Sequence, residues 1–241
     1  MKTLCWLISG HPSMDDSVNI IDAYVKGGCE GIEWSIPYSN PYIGQAYRFE
    51  NEINAYNNCP DMDKHLELLA KTKQKYPDLE IFISICKENI LTIGIDRMIN
   101  FCNENKIDGI ITIGEYEQEM LEKIHAAGVK NVTEVSYYMT EAELNGAKNG
   151  TGFVIMQAFP YPQEIEAGYT KERLFDCMKT LREICGDRPI YCAQGIRKHE
   201  DVEFIKSAGA DGFILGSSLF NEYDNLEALS ETINSYRKVG E

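Results

Sequence analysis

The sequence predicts a single eight-stranded (β/α) barrel, the TIM-barrel form of the α/β class, spanning residues 1–241. Two observations predict it. Short β-branched runs alternate with helix-length amphipathic runs from end to end, and eight such pairs fit into 241 residues. Parallel strands need crossovers, and a strand–helix alternation supplies one after every strand. Eight units in this length match a closed barrel. The competing arrangement is an open dinucleotide-binding sheet, but no G-x-G-x-x-G follows the first strand.

The elements follow in order. A strand over Thr3–Ile8 leads through Gly10-His11-Pro12-Ser13 into a helix that ends near Lys26, with Asp15 and Asp16 in its first turn and Gly27-Gly28 as its stop. Strand two is Gly31–Ile36, and a long loop then runs to Pro60 before a helix over Lys64–Lys75 that stops ahead of Pro77. Strand three is Glu80–Ile85, with a helix from Gly94 to Asn105; strand four is Gly109–Ile113, with a helix over Tyr116–Ala127. Strand five is Val132–Tyr137, after which Thr140-Glu141-Ala142-Glu143 opens a short helix. Strand six is Gly152–Met156, and a proline-containing loop precedes a helix over Thr170–Ile184. Strand seven, Pro189–Cys192, is followed by a helix over His199–Ala208, and strand eight, Gly212–Leu215, by a last helix over Leu226–Arg237. No linker or low-complexity tract divides the chain.

Composition narrows the function. A formal net charge of −15 repels nucleic-acid phosphates and anionic lipid, so neither is an expected partner. No apolar run is long enough to span a bilayer and no secretory leader opens the sequence, which predicts a cytoplasmic protein. The eight cysteines are scattered without a C-x-x-C pair or a histidine at ligand spacing, so neither a metal nor a disulfide framework is expected, and no cofactor motif is present. Cys192 stands at a strand end, but no sequence neighbour activates it.

In a (β/α) barrel the chemistry sits at the C-terminal ends of the strands. Glu33 is the leading catalytic candidate, because it interrupts the apolar run Gly31-Ile32-Glu33-Trp34-Ser35-Ile36, where a charge is costly unless it is used. Half-burial of a carboxyl group there raises its pKa and suits it to proton transfer. The turns Cys192-Ala193-Gln194-Gly195-Ile196 and Leu215-Gly216-Ser217-Ser218-Leu219 close strands seven and eight, where barrels of the phosphate-binding type hold their anion. Gly195, Gly216 and Ser217 are therefore expected to bind the phosphate of a phosphorylated small molecule. Gln157 and Glu115, also at strand ends, are further substrate-binding candidates. Glu134 interrupts strand five as Glu33 interrupts strand two, but is read as a paired or solvated carboxylate. His11 is read as a structural turn residue, and Tyr38, Tyr42, Tyr47 and Tyr56 crowd the loop after strand two as a lid or contact surface.

Two stretches carry a family resemblance. Leu7-Ile8-Ser9-Gly10-His11-Pro12-Ser13 and Gly31-Ile32-Glu33-Trp34-Ser35-Ile36-Pro37-Tyr38-Ser39-Asn40-Pro41 resemble the T-x-G-D-P and E-L-G-x-P-F-S-D-P segments of the tryptophan synthase alpha subunit. The likeness continues through Gly94-Ile95-Asp96, Gln194-Gly195-Ile196 and the Gly212–Ser217 stretch. It implies a lyase of tryptophan biosynthesis, in which Glu33 is the acid–base group of the aldol-type cleavage of indole-3-glycerol phosphate to indole and glyceraldehyde 3-phosphate. It also implies phosphate binding at Gly195, Gly216 and Ser217, and a beta-type subunit as partner.

This sequence departs from the family pattern at several places. The family's second catalytic acid, in the loop after strand two, falls on Gly44; the aspartate at the end of strand four falls on Gly114, with Glu115 beside it as a stand-in. The loop after strand six reads Gln157-Ala158-Phe159-Pro160-Tyr161-Pro162, and the family's helix before strand one is not seen. Loss of the second acid leaves an alternative reading, a barrel that binds a phosphorylated metabolite or a partner without turning it over.

Overall fold

Along the first strand, β1 (Lys2–Ile8), side chains divide by parity. Leu4, Trp6 and Ile8 enter an inner cluster, while Cys5 and Leu7 join an outer one shared with the helices, as the two-residue period of a strand requires. The same division repeats around the molecule, so each strand reads as a nearly continuous apolar run with both faces covered.

The computed structural model describes residues 1–39, 46–114 and 116–241, with residues 46–49 described by their backbone alone. After β1 the order is α1 (Met14–Lys26), β2 (Gly31–Ser35), α2 (Ala46–Asn58), α3 (Met62–Lys75), β3 (Glu80–Cys86), α4 (Lys87–Ile93), α5 (Ile95–Glu104) and β4 (Gly109–Ile113). There follow α6 (Gln118–Ala126), β5 (Asn131–Val135), α7 (Glu141–Asn149), β6 (Val154–Gln157), α8 (Pro162–Glu166) and α9 (Arg173–Cys185). The chain closes with β7 (Ile190–Ala193), α10 (His199–Ser207), β8 (Gly212–Leu215), a 3-10 helix (Ser217–Glu222) and α11 (Leu226–Gly240). The eight strands form a closed parallel barrel in sequence order, sealed where Lys2 and Cys5 of β1 register with Gly212 and Leu215 of β8. The predicted fold is the observed one.

Helix starts follow their capping residues. Ser13 accepts from the Asp16 amide at the head of α1, Asp61 from Asp63 at α3, and Thr140 and Glu143 form a reciprocal capping box at α7. Three helices were not expected: α2, of 13 residues, within the long loop after β2, α4 directly after β3, and α8 in the loop after β6. The last two are only seven and five residues long, too short to show helical periodicity.

The N-terminal end of the barrel is plugged. Phe82 and Phe153 meet edge to face at 4.7 Å between ring centroids, and Phe153 lies 4.4 Å from Tyr191. The aromatics are accommodated by glycine on the next strand, since Phe82 registers with Gly109 and Tyr191 with Gly212. Acids just before two strands tie this end to its neighbours: Asp108 accepts from the Ile81 amide and Asp211 from the Ile190 amide, each at 2.8 Å. With the bottom filled, the interior opens, among the described residues, toward the strand C-termini. Among the described residues no helix is long and apolar enough to cross a membrane.

Candidate active site

A cavity of about 720 Å³ occupies the C-terminal mouth, within the size range of small-molecule sites. Glu33 lies on its wall. The neighbours Ile32 and Trp34 belong to the outer cluster, so parity turns Glu33 inward, between Trp6 of β1 and Phe82 of β3 in register. Only 5% of Glu33 is exposed, which is rare for an acid. The ring of Trp6, also on the wall, is fixed by its Nε1–H donating to Ser35 Oγ at 2.8 Å.

The strands across the barrel supply further polar groups. Glu134 of β5 registers with Ile155 of β6, and both line the cavity. Gln157 ends β6, 3% exposed, and its amide nitrogen donates to the Phe159 carbonyl at 2.8 Å and to Glu164 Oε2 at 2.5 Å. Glu164, buried in α8, also accepts from the Tyr161 amide at 2.7 Å, so one carboxylate fixes both the loop and the Gln157 side chain. With both amide protons engaged, Gln157 can offer the cavity only its carbonyl oxygen.

The turns after β7 and β8 form the adjoining part of the wall, with Gln157 of β6 in register with Ala193 of β7. Gln194 and Gly195 have φ of 72° and 83°, two successive left-handed residues, and only the second is a glycine. Gln194 is held in this costly conformation by the Tyr161 hydroxyl, which donates to its Oε1 at 2.6 Å. A side chain at Gly195 would also press on Phe159, 3.1 Å from an added Cβ. After β8, Gly216 leads into the 3-10 helix, where its carbonyl accepts from the Leu219 amide. The amides of Ser217 and Ser218 precede the first donor of that helix and have no helical acceptor. Ser218 Oγ is buried without a hydrogen-bond partner, and Arg197 is the only Lys or Arg among the described lining residues. Glu33, Glu134 and Gln157 thus share one cavity with the serines and the arginine that follow β7 and β8.

Of the residues expected from the sequence, Glu33, Gln157, Gly195, Gly216 and Ser217 all line this one cavity. Glu115 and Gly44 lie outside the described residues. Cys192 is buried in the outer cluster, and burial pushes its thiol pKa up to about 12, so it is no nucleophile at neutral pH. His11 packs against Phe220 and Tyr223, with ring centroids 5.4 Å and 6.1 Å away, and burial lowers its pKa. In the tyrosine-rich segment, Tyr38 is buried with the inner cluster and Tyr56 packs on the outer one; Tyr42 and the side chain of Tyr47 lie outside the described residues.

Sequence reasoning singled out Glu134 but read it as paired or solvated, and it passed over Tyr161, Glu164 and Arg197, all of which except Glu164 line the cavity. The signal for Glu134 was the same as for Glu33, a charge within an apolar strand. Glu164 was signalled by Pro162 followed by an acid two residues on, the pattern of a helix first turn.

The tryptophan synthase alpha chain family model matches residues 2–239. The tryptophan synthase alpha chain of Buchnera aphidicola subsp. Baizongia pistaciae is 23% identical, over 97% of this chain and 91% of its own length. That of Cronobacter sakazakii is 25% identical, over 94% and 87%. Among solved structures, a chain from Aquifex aeolicus superposes with a TM-score of 0.84 at 20% identity, covering 99% of this chain and 92% of its own. A chain of the tryptophan synthase complex from Pyrococcus furiosus gives 0.81 at 18%, covering 99% and 97%.

Proposed function

This chain belongs to the tryptophan synthase alpha chain family, and from that premise we propose that it is a carbon–carbon lyase. It cleaves indole-3-glycerol phosphate, or a related 3-substituted glycerol phosphate, in an aldol-type reaction that releases glyceraldehyde 3-phosphate. The observation that carries this reading is the convergence of Glu33 with Gly195, Gly216 and Ser217 on one cavity.

The amides and hydroxyls after β7 and β8 hold the phosphate, with Arg197 at the rim adding positive charge. Binding energy from the phosphate then positions the reacting carbon near Glu33. Glu33 takes the proton of the hydroxyl beside the breaking bond. The O–H electrons become the second bond of the aldehyde, and the carbon–carbon electron pair passes to the departing ring carbon, which gains a proton. One proton is lost and one gained, so the cleavage consumes no water and no co-reactant.

The family reading also implies a tryptophan synthase beta-type subunit as partner, and the Pyrococcus furiosus chain belongs to such a complex. The loops after β2 and β6, which differ from the family pattern, are where this chain would change that contact. Gel filtration of the mixed subunits tests it; a single co-eluting peak supports the partner, and separate peaks remove it.

The activity is tested by incubating the purified protein with indole-3-glycerol phosphate and following indole and glyceraldehyde 3-phosphate together. Wild type is expected to release both, and Glu33→Gln neither. Turnover unchanged in Glu33→Gln contradicts the role of Glu33; absence of either product from wild type contradicts this substrate.

A further inference from the structure

Among the described lining residues of the cavity, Gln194 alone is a non-glycine with positive φ, at 72°. A side chain with a Cβ is disfavoured in that left-handed region. The shape of this turn matters to an anion, because Asp201 Oδ2 already accepts from the amides of Arg197 and Lys198, at 2.8 and 3.0 Å. The amides the turn can still offer lie before them, at Gly195 and Ile196, and their direction follows the backbone angles of Gln194 and Gly195. Two arms of the loop after β6 bear on the turn. The Tyr161 hydroxyl donates to Gln194 Oε1 at 2.6 Å, and Phe159 packs against Gly195, 3.1 Å from an ideal Cβ at that glycine. Both arms are rooted on Glu164, which is buried. Its Oε2 accepts from the Tyr161 amide at 2.7 Å and from Gln157 Nε2 at 2.5 Å, and the same Gln157 nitrogen donates to the Phe159 carbonyl at 2.8 Å.

A left-handed residue other than glycine keeps its conformation only where its surroundings impose it. Without the Tyr161 hydroxyl, Gln194 would relax toward negative φ in part of the population, and the apparent affinity for an anion would fall to the fraction that keeps the turn. Resting on the phosphate reading of the β7–β8 turns, we propose that Tyr161 is a positioning residue for phosphate binding. It acts through Gln194, holding the turn in the conformation that aims the Gly195 amide at the anion, and Glu164 holds Tyr161 in place. Tyr161 lies in the loop after β6, where this sequence departs from the family pattern, so the clamp is a feature of this chain's own version of the site.

The test is a double-mutant cycle on the full chain, read by isothermal titration with glycerol 3-phosphate. Tyr161→Phe keeps the ring and removes only the hydroxyl. It is expected to weaken binding about tenfold, the scale of one hydrogen bond, with the melting temperature within a few degrees of wild type. Gln194→Gly removes the strain that the clamp offsets, because glycine adopts positive φ without a steric penalty. In that background Tyr161→Phe is expected to change the affinity by less than about twofold, whereas a hydroxyl with a merely structural role would give the same loss in both backgrounds. Unchanged affinity in Tyr161→Phe, or an equal loss with and without Gln194→Gly, overturns the proposal and leaves the phosphate site standing. If wild type does not bind glycerol 3-phosphate at all, the phosphate site itself fails and the proposal falls with it.

Discussion

At the N-terminal end of the barrel, a Cβ added at Gly212 would lie 2.7 Å from both the Lys2 carbonyl oxygen and the Tyr191 ring. At the other end of the same strand, one added at Gly216 would meet only the Trp6 ring, at 3.8 Å. Gly109 repeats the first case, with the Lys130 carbonyl at 2.9 Å. Glycine at the bottom is there because an aromatic ring and a neighbouring backbone fill the space. Gly216 at the top borders space that stays open. The difference separates residues that hold the barrel together from residues that leave room for a ligand, a distinction that composition cannot make.

Four expected outcomes would break or sharpen this contrast. The largest belongs to the open end: Glu33→Gln is expected to lower turnover by roughly 10²–10⁴-fold, the range of a lost general acid–base group, while the melting temperature stays within a few degrees. Stability lost in step with activity would make Glu33 a structural residue. Next comes the closed end. Gly212→Ala is expected to cost about 3 kcal/mol by overpacking against Tyr191, read as a fall in Tm of roughly 6–12 °C.

Gly216→Ala is the counterpart. An added Cβ there meets only the Trp6 ring, at 3.8 Å, so Tm is expected to fall less than in Gly212→Ala, while affinity for glycerol 3-phosphate falls about tenfold as the methyl group enters the anion site. Equal loss of Tm in the two glycine variants would erase the contrast. The smallest effect is a pH dependence. His65 is buried, with Nδ1 2.8 Å from Ser9 Oγ and Nε2 2.8 Å from the Cys59 carbonyl, and burial lowers its pKa from 6.5. The unfolded chain therefore binds a proton before the folded one does, and stability falls as pH drops below about 6.5. Tm scans from pH 7.5 to 5 are expected to show this decline and a shallower one in His65→Gln.

The barrel was legible because eight apolar runs and their crossovers are long-range patterns that survive local exceptions. Glu33 was legible for a local reason, a charge inside a strand whose flanking residues are all buried. Glu134 gave the same signal but was read as paired or solvated, because one strand alone does not show which face opens on a cavity. Closure of the barrel supplies that, by setting β5 beside β6 and across from β2. Cys192 shows the reverse. It stands at a strand end, as a catalytic residue would, but parity turns it outward into the helix layer. The short helices α4 and α8 were not legible, since one or two turns carry no period. With α8 went Glu164, whose role in holding Gln157 and Tyr161 depends on a turn that brings an acid back to β6.

The measurement that bears most directly on the open end as a phosphate-lyase site is a crystal structure with glycerol 3-phosphate. The phosphate is expected within hydrogen-bond distance of the amides at Gly195, Gly216 and Ser217, with the glycerol carbons extending toward Glu33. A phosphate bound anywhere else, or a ligand whose carbons turn away from Glu33, would contradict the account.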